Sequence, residues 1–372
     1  MGRNLLFLTG TRADFGKLEP LAVAARDAGH DITFFVTGMH MLERYGATRL
    51  EVEKVAGVKR QEFINQRIGD PQDVILSKTI LGLSDWVHEY RPDLTIIHGD
   101  RIEALAGALV CATNYIRCAH VEGGEVSGTI DEVYRHCNTK LCTYHFVSSQ
   151  DARERVITLG EDPSTVYTIG SPELDIHRQS TGVTLQQVRS RYEIPFDDFG
   201  IAVFHPVTSE RDTIGAQARN LFDCLKESGR NFVVILPNND PGSEEIFREI
   251  DALPDNRFRC LPSMRFSYFS TLMREASVMV GNSSAGVREA PFLGVPSLNI
   301  GSRQHLRSRS TTITDSTAFD VDTIKTFLDG RWGQRFDADI SFGAGNAAER
   351  FVDVLNSDTF WNVNQQKYFY QG

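Results

Sequence analysis

Short runs of apolar, β-branched and aromatic residues recur along the 372-residue chain, separated by longer segments with apolar residues at helical spacing. In the first half the runs are Leu5–Thr9, Ile32–Val36, Leu94–His98, Ile116–Val121, Tyr144–Val147 and Val166–Ile169. They are apolar almost throughout rather than alternating, the pattern of parallel strands covered by helices on both faces. Segments of helical period lie between them at Lys17–Ala28, Asp73–Tyr90, Glu103–Thr113, Asp131–Leu141 and Gln150–Leu159. The second half repeats the scheme with runs at Ile201–His205, Phe232–Leu236, Phe258–Leu261, Val278–Val280 and Ser297–Ile300. This alternation predicts an α/β chain of two Rossmann-like, doubly wound parallel-sheet domains. The polar stretch Arg178–Thr184 has neither period and marks a boundary, so domains are expected at 1–178 and 185–357. The aromatic-rich end, 358–372, is expected to pack back on the body. Ligands of such folds bind at the carboxyl ends of the strands, which predicts an interdomain cleft.

Composition narrows the partners. Lys and Arg number 39 against 49 Asp and Glu, a net charge of −10, with no long basic run. Such a chain is a poor binder of nucleic acid or anionic membrane. A small anion remains possible, because it needs only a few Arg and helix N-termini. No apolar stretch approaches the ~18 residues that span a bilayer, and the N-terminus lacks the apolar core of a signal peptide. Six cysteines, none spaced as CxxC, form neither a disulfide framework nor a zinc site. The expectation is a reduced, cytoplasmic protein with no metal and no cofactor.

Chemistry-bearing residues cluster just after the predicted strands. Gly10-Thr11-Arg12-Ala13-Asp14-Phe15-Gly16-Lys17 follows the first and opens a helix, a turn whose backbone amides can meet an anion. It is not a GxGxxG, so no dinucleotide fingerprint is present. His98-Gly99-Asp100-Arg101 follows the third strand. His120-Val121-Glu122 ends the fourth and leads on to Asp131 and Arg135. An Asp before a helix can be a simple N-cap, which would account for Asp100 or Asp131 singly. It does not account for Asp100, Arg101, Glu122, Asp131 and Arg135 together, since such groups are costly to bury and useless for packing. In the second half, Gly281-Asn282-Ser283-Ser284-Ala285-Gly286 has the small hydroxyl and glycine residues of a phosphate cradle opening a helix. Glu289 follows one turn later, placed to accept from a ribose, and Arg303 supplies a cation after the last strand. These read as a nucleotide diphosphate site facing a carboxylate-rich site.

Those motifs carry a resemblance. GTRADFGKL (10–18), TGMHM (37–41), HGDRIEALAGA (98–108), HVEGGEVSGTIDE (120–132), FHPVT (204–208), PNND (237–240), GNSSAGVREAP (281–291) and GSRQ (301–304) are similar to those of the hydrolysing UDP-N-acetylglucosamine 2-epimerases of sialic acid biosynthesis. The resemblance implies a GT-B-like fold, a UDP-sugar substrate, and a homo-oligomer, dimer or tetramer. It implies that Asp100, Glu122 and Asp131 are the acid/base carboxylates. It also implies that Arg12, Arg101, His205, Asn238, Ser283, Ser284, Glu289 and Arg303 hold the nucleotide, with Lys17 and Arg135 as further substrate-binding cations. Non-hydrolysing relatives usually carry a TRPE-type first loop; Arg12-Ala13-Asp14-Phe15 departs from it and points to the hydrolysing branch. The same reaction on a UDP- or GDP-linked 2,4-diacetamido-6-deoxy sugar is the nearest alternative, ahead of a GT-B glycosyltransferase or a non-catalytic nucleotide-sugar sensor. The segment Asn65–Pro71 is where a sugar contact is expected to separate the two substrates.

Overall fold

The runs expected to be strands do form strands in a computed structural model. It describes all residues except 1, 44–45, 128–130, 179–181, 238–241, 369 and 371–372, and except the side chains of Asp131 and Thr208. The first sheet contains β1 (Asn4–Thr9), β2 (Asp31–Val36), β3 (Lys59–Glu62), β4 (Leu94–His98), β5 (Cys118–Val121), β6 (Tyr144–Val147) and β7 (Val166–Thr168). The second contains β8 (Gly200–Val203), β9 (Phe232–Ile235), β10 (Phe258–Leu261), β11 (Met279–Gly281), β12 (Ser297–Ile300) and β13 (Ile313–Ser316). Their orders are β3-β2-β1-β4-β5-β6-β7 and β10-β9-β8-β11-β12-β13, with parallel pairings among the described residues. Each order reverses beside its first strand, at β1/β4 and at β8/β11, the kind of switch point where ligands of open α/β sheets generally bind.

Two strands escape the hydrophobic pattern for one reason. β3 (KRQE), largely exposed, and β13 (ITDS), partly exposed, are edge strands, and their polarity blunts an edge that would otherwise template aggregation. The central strands are buried. Leu5 and Phe7 of β1 and Phe34 of β2 pack beneath Phe15, Leu18 and Leu21 of the helix Arg12–Asp27. In the second unit alternate residues of β8 enter different clusters, Ala202 with Phe222 and Leu225, Ile201 and Val203 with Leu272 and Met273.

The chain divides into two compact units. The first is built mainly of residues up to Asp175 and those from Phe342 onward, the second mainly of Ile176–Ser341. The boundary expected at 178–185 and the second-domain end expected at 357 therefore differ from this division. The chain returns to the first unit at Phe342 because the helix Ala347–Leu355 covers that unit's sheet. Phe351 meets Phe146 at 4.8 Å and Phe7 at 6.4 Å between ring centroids. The Asp175 carboxylate accepts from the Ala347 and Ala348 amides at 2.8 and 2.7 Å, capping the helix. Farther on, Phe360 is buried and stacks on Tyr144 at 4.0 Å. Among the described residues no helix is long and apolar enough to cross a membrane.

Glycine is required at a few sharp corners. A Cβ on Gly281 (φ +130°) would stand 2.0 Å from the Val203 carbonyl, and one on Gly124 (φ +74°) 2.2 Å from that of Ala152. Both lie beside the candidate site residues. Phe351→Ala should cost about 3–5 kcal/mol in urea unfolding, the usual penalty for a large core cavity. A loss under about 1 kcal/mol would mean that this helix contributes nothing to the first unit's core.

Candidate active site

Two acidic loops leave neighbouring strands of the first unit. His98 pairs with Val121 in the β4–β5 ladder, so Gly99-Asp100 and Glu122 emerge side by side. The Gly99 carbonyl is held by His120 Nε2 at 2.8 Å and Asn138 Nδ2 at 3.0 Å, and His120 Nδ1 meets Thr139 Oγ1 at 3.1 Å. Burial pushes His120 from its ordinary 6.5 down to about 3. It is thus a neutral, structural histidine that fixes the turn behind Asp100.

Glu122 is 4% exposed and sits at φ +63°, a left-handed conformation that an ordinary side chain adopts only under constraint. Its Oε2 faces Lys17 Nζ at 2.8 Å and His98 Nε2 at 3.0 Å, while Ser171 Oγ donates to Oε1. Lys17 also reaches Glu173 Oε2 at 2.6 Å, so one ammonium is shared by two buried carboxylates. A buried charge is tolerated when paired and hydrogen-bonded, and here each partner supplies that for the next. Asp100 takes the guanidinium of Arg135, which also donates to the Glu125 carbonyl at 3.0 Å. Arg135 and Asp131 lie one turn apart on the helix Asp131–Leu141, but the side chain of Asp131 lies outside the described residues.

Several residues expected to hold substrate also have protein partners. Lys17 and Arg135 hold carboxylates, as above. Arg12 Nε lies 3.2 Å from Glu51 Oε2, and Arg101 Nε 3.7 Å from Glu103 Oε2. The first loop does not offer its leading amides to an anion. Asp14 turns back to accept from Gly10 N at 3.0 Å and Thr11 N at 3.2 Å, completing a capping box with Thr11. Asn65, at the head of the segment expected to touch sugar, is buried and structural. Its Oδ1 accepts from Gly38 N at 2.9 Å and its Nδ2 donates to Thr79 Oγ1 at 2.8 Å.

In the second unit, loops following β8, β11 and β12 meet at Asn282. Its side chain accepts from the His205 amide at 2.7 Å and donates to the His205 carbonyl at 2.8 Å. Its own carbonyl accepts from Arg303 Nη1 at 3.1 Å and Gln304 Nε2 at 3.2 Å. His205 and Arg303 are thereby fixed on one rim. Burial and the nearby Arg303 charge lower the His205 pKa, favouring its neutral form. The expected helix after Gly281 is a single 3₁₀ turn, Ser284–Gly286, capped by Ser283, followed by the four-residue helix Glu289–Phe292. Glu289 is buried, with Oε1 2.9 Å from His177 Nε2. Asn238 lies outside the described residues.

Ser171, Glu173 and His177 of these clusters were not expected from the sequence. The run Ser171-Pro172-Glu173-Leu174-Asp175 did carry a signal, two acids among apolar residues just past a strand.

The sequence model of one family, UDP-N-acetylglucosamine 2-epimerase, matches residues 23–356. The chain belongs to that family. A relative from Neisseria meningitidis serogroup B named UDP-N-acetylglucosamine 2-epimerase is 40% identical over 371 residues, spanning 99% of this chain and 98% of the relative. A Legionella pneumophila protein named UDP-N,N'-diacetylbacillosamine 2-epimerase (hydrolyzing) is 30% identical over 367 residues, 96% of each chain. Among solved structures, a Neisseria meningitidis UDP-GlcNAc 2-epimerase bound to UDP-GlcNAc has a TM-score of 0.80 at 16% identity, covering 94% of this chain and 99% of that one. The likeness shows the fold: the two units are the Rossmann-like domains of a GT-B-like nucleotide-sugar 2-epimerase.

The His120 shift has a readable consequence for this epimerase. Below about pH 6.5 the unfolded chain binds a proton that folded His120 refuses until about pH 3, so stability falls as pH drops through that window. His120→Gln, which cannot titrate, should flatten the decline of Tm between about pH 7 and about pH 4. Parallel curves for the two proteins would show that His120 is not the group responsible.

Proposed function

We propose that this epimerase is the hydrolysing form, converting UDP-N-acetylglucosamine and water to N-acetylmannosamine and UDP. The observation that carries this reading is the pair of carboxylates, Asp100 and Glu122, leaving adjacent strands with different partners. The hydrogen on carbon 2 is not beside a carbonyl and is very weakly acidic. Cleavage of the anomeric C–O bond, with UDP taking the electron pair, must therefore precede or accompany its removal. Carboxylates near the ring stabilise the oxocarbenium-like state, and cations on the diphosphate stabilise departing UDP. One carboxylate takes the carbon-2 proton and leaves 2-acetamidoglucal. Water then adds to carbon 1 while a second acid returns a proton to carbon 2 from the opposite face.

Two faces need two groups, each contributing roughly 10²–10⁴-fold. In this reading Asp100 and Glu122 divide removal and return, and Asp131 orients water or holds a protonated partner. Arg135 and Lys17 would keep the first two carboxylates in place, a role the substrate-binding assignment had not foreseen. Arg12, Arg101, His205, Asn238, Ser283, Ser284, Glu289 and Arg303 are assigned to the nucleotide. The hydrolysing form is supported by the first loop, with Ala13-Asp14-Phe15 where a TRPE-type sequence would stand. The 30% identical relative, named as hydrolysing, supports it further. That same relative favours a second reading, hydrolytic 2-epimerisation of a UDP-linked 2,4-diacetamido-6-deoxy sugar.

Proton NMR in deuterated water with UDP-N-acetylglucosamine as substrate separates these. Free UDP and N-acetylmannosamine bearing deuterium at carbon 2 are expected. UDP-N-acetylmannosamine without free UDP would refute hydrolysis. Turnover only of UDP-2,4-diacetamido-6-deoxy sugar would establish the second reading. Asp100→Asn, Glu122→Gln and Asp131→Asn should each lower kcat by about 10²–10⁴ with the fold intact. Near-normal turnover in all three would end the assignment.

A further inference from the structure

His177 belongs to none of the motifs above and has no part in the sugar chemistry, yet it is fixed at both ring nitrogens. It lies on the short helix Glu173–Arg178 just after the chain enters the second unit. Its Nε2 stands 2.9 Å from Glu289 Oε1 and its Nδ1 2.7 Å from Ser270 Oγ. The Phe266 ring packs edge-on against it at 5.7 Å, and its carbonyl accepts from Arg274. All three members of the chain are buried: Ser270 0%, His177 2% and Glu289 5% exposed.

The chemistry of the three groups sets the direction of the bonds. A carboxylate can only accept, so Nε2 must carry the hydrogen toward Glu289. With that hydrogen on Nε2 alone, Nδ1 is an acceptor, and the Ser270 hydroxyl is the donor that suits it. The carboxylate thus sets the tautomer, Ser270 matches it, and the two bonds together hold the ring against the Glu289 carboxylate. A bond to a charged group in a buried setting is worth more than one in water and is directional.

We propose that His177 is a positioning residue for nucleotide recognition: held by Ser270, it orients the Glu289 carboxylate to accept the vicinal hydroxyls of a nucleoside diphosphate ribose. This rests on the reading in which Glu289 faces the nucleotide, and it adds the groups that set its geometry. His177 touches no substrate in this scheme. Its loss is felt through ribose recognition and not through proton transfer at the sugar.

Isothermal titration of the full chain with UDP and with 2′,3′-dideoxy-UDP tests it. The unsubstituted protein should bind UDP at least about 10-fold more tightly than the dideoxy nucleotide, the scale of a hydrogen bond to a charged group. H177L should bring that ratio below about 3-fold while changing dideoxy-UDP affinity less than about 2-fold. H177Q, whose amide nitrogen reaches the place of Nε2, should restore most of the ratio. An unchanged ratio in H177L, or equal weakening toward both nucleotides, would overturn the inference. Should H177L fail to fold by circular dichroism, S270A is read in its place, and a ratio equal to that of the unsubstituted protein overturns the inference equally. A chain that binds no UDP refutes the proposed function itself. One that binds UDP and dideoxy-UDP alike removes the ribose from Glu289, and this inference with it.

Discussion

The ammonium of Lys17, shared by the carboxylates of Glu122 and Glu173, is the interaction on which the first unit's buried acidic cluster depends. Two acids brought together out of water repel one another, and each alone is costly to desolvate. A cation between them makes the cluster tolerable, and Ser171 and His98 satisfy further oxygens. Such a cluster is expensive to break, because removing one partner strands a charge in a dry setting. The strained backbone of Glu122 belongs to the same arrangement: the surrounding bonds hold the residue in a conformation it would not adopt alone.

Parallel sheets explain why the chemistry collects where it does. Their strands are covered on both faces, so polar side chains are admitted chiefly where strands end. The order reversals fall at β1/β4 and β8/β11, the positions where ligands of open α/β sheets generally bind. The first unit fills its carboxyl edge with acids held by Lys17 and Arg135. The second gathers Asn282, His205 and Arg303 at its own.

Much of the fold was legible because buried parallel strands print a nearly unbroken apolar run, as in Leu5–Leu8 and Phe232–Ile235. β3 and β13 were not, because an edge strand need not be apolar on either face. The helix Ala347–Leu355 was assigned to the wrong unit for a related reason. An amphipathic helix announces that it has a buried face, but not which sheet will cover it.

The same division runs through the site. The order of residues along the chain determined that Asp100 and Glu122 stand just past strands, because strand ends and acidic residues are both local features. Only the tertiary structure decided the partners: Arg135 for Asp100, Lys17 for Glu122, His177 for Glu289. Those pairings join residues far apart in the chain, and they follow from how the helices settle on the sheets. Electrostatic complementarity acts through space over a few ångströms, and no periodicity or spacing in one dimension records which charges packing will bring that close.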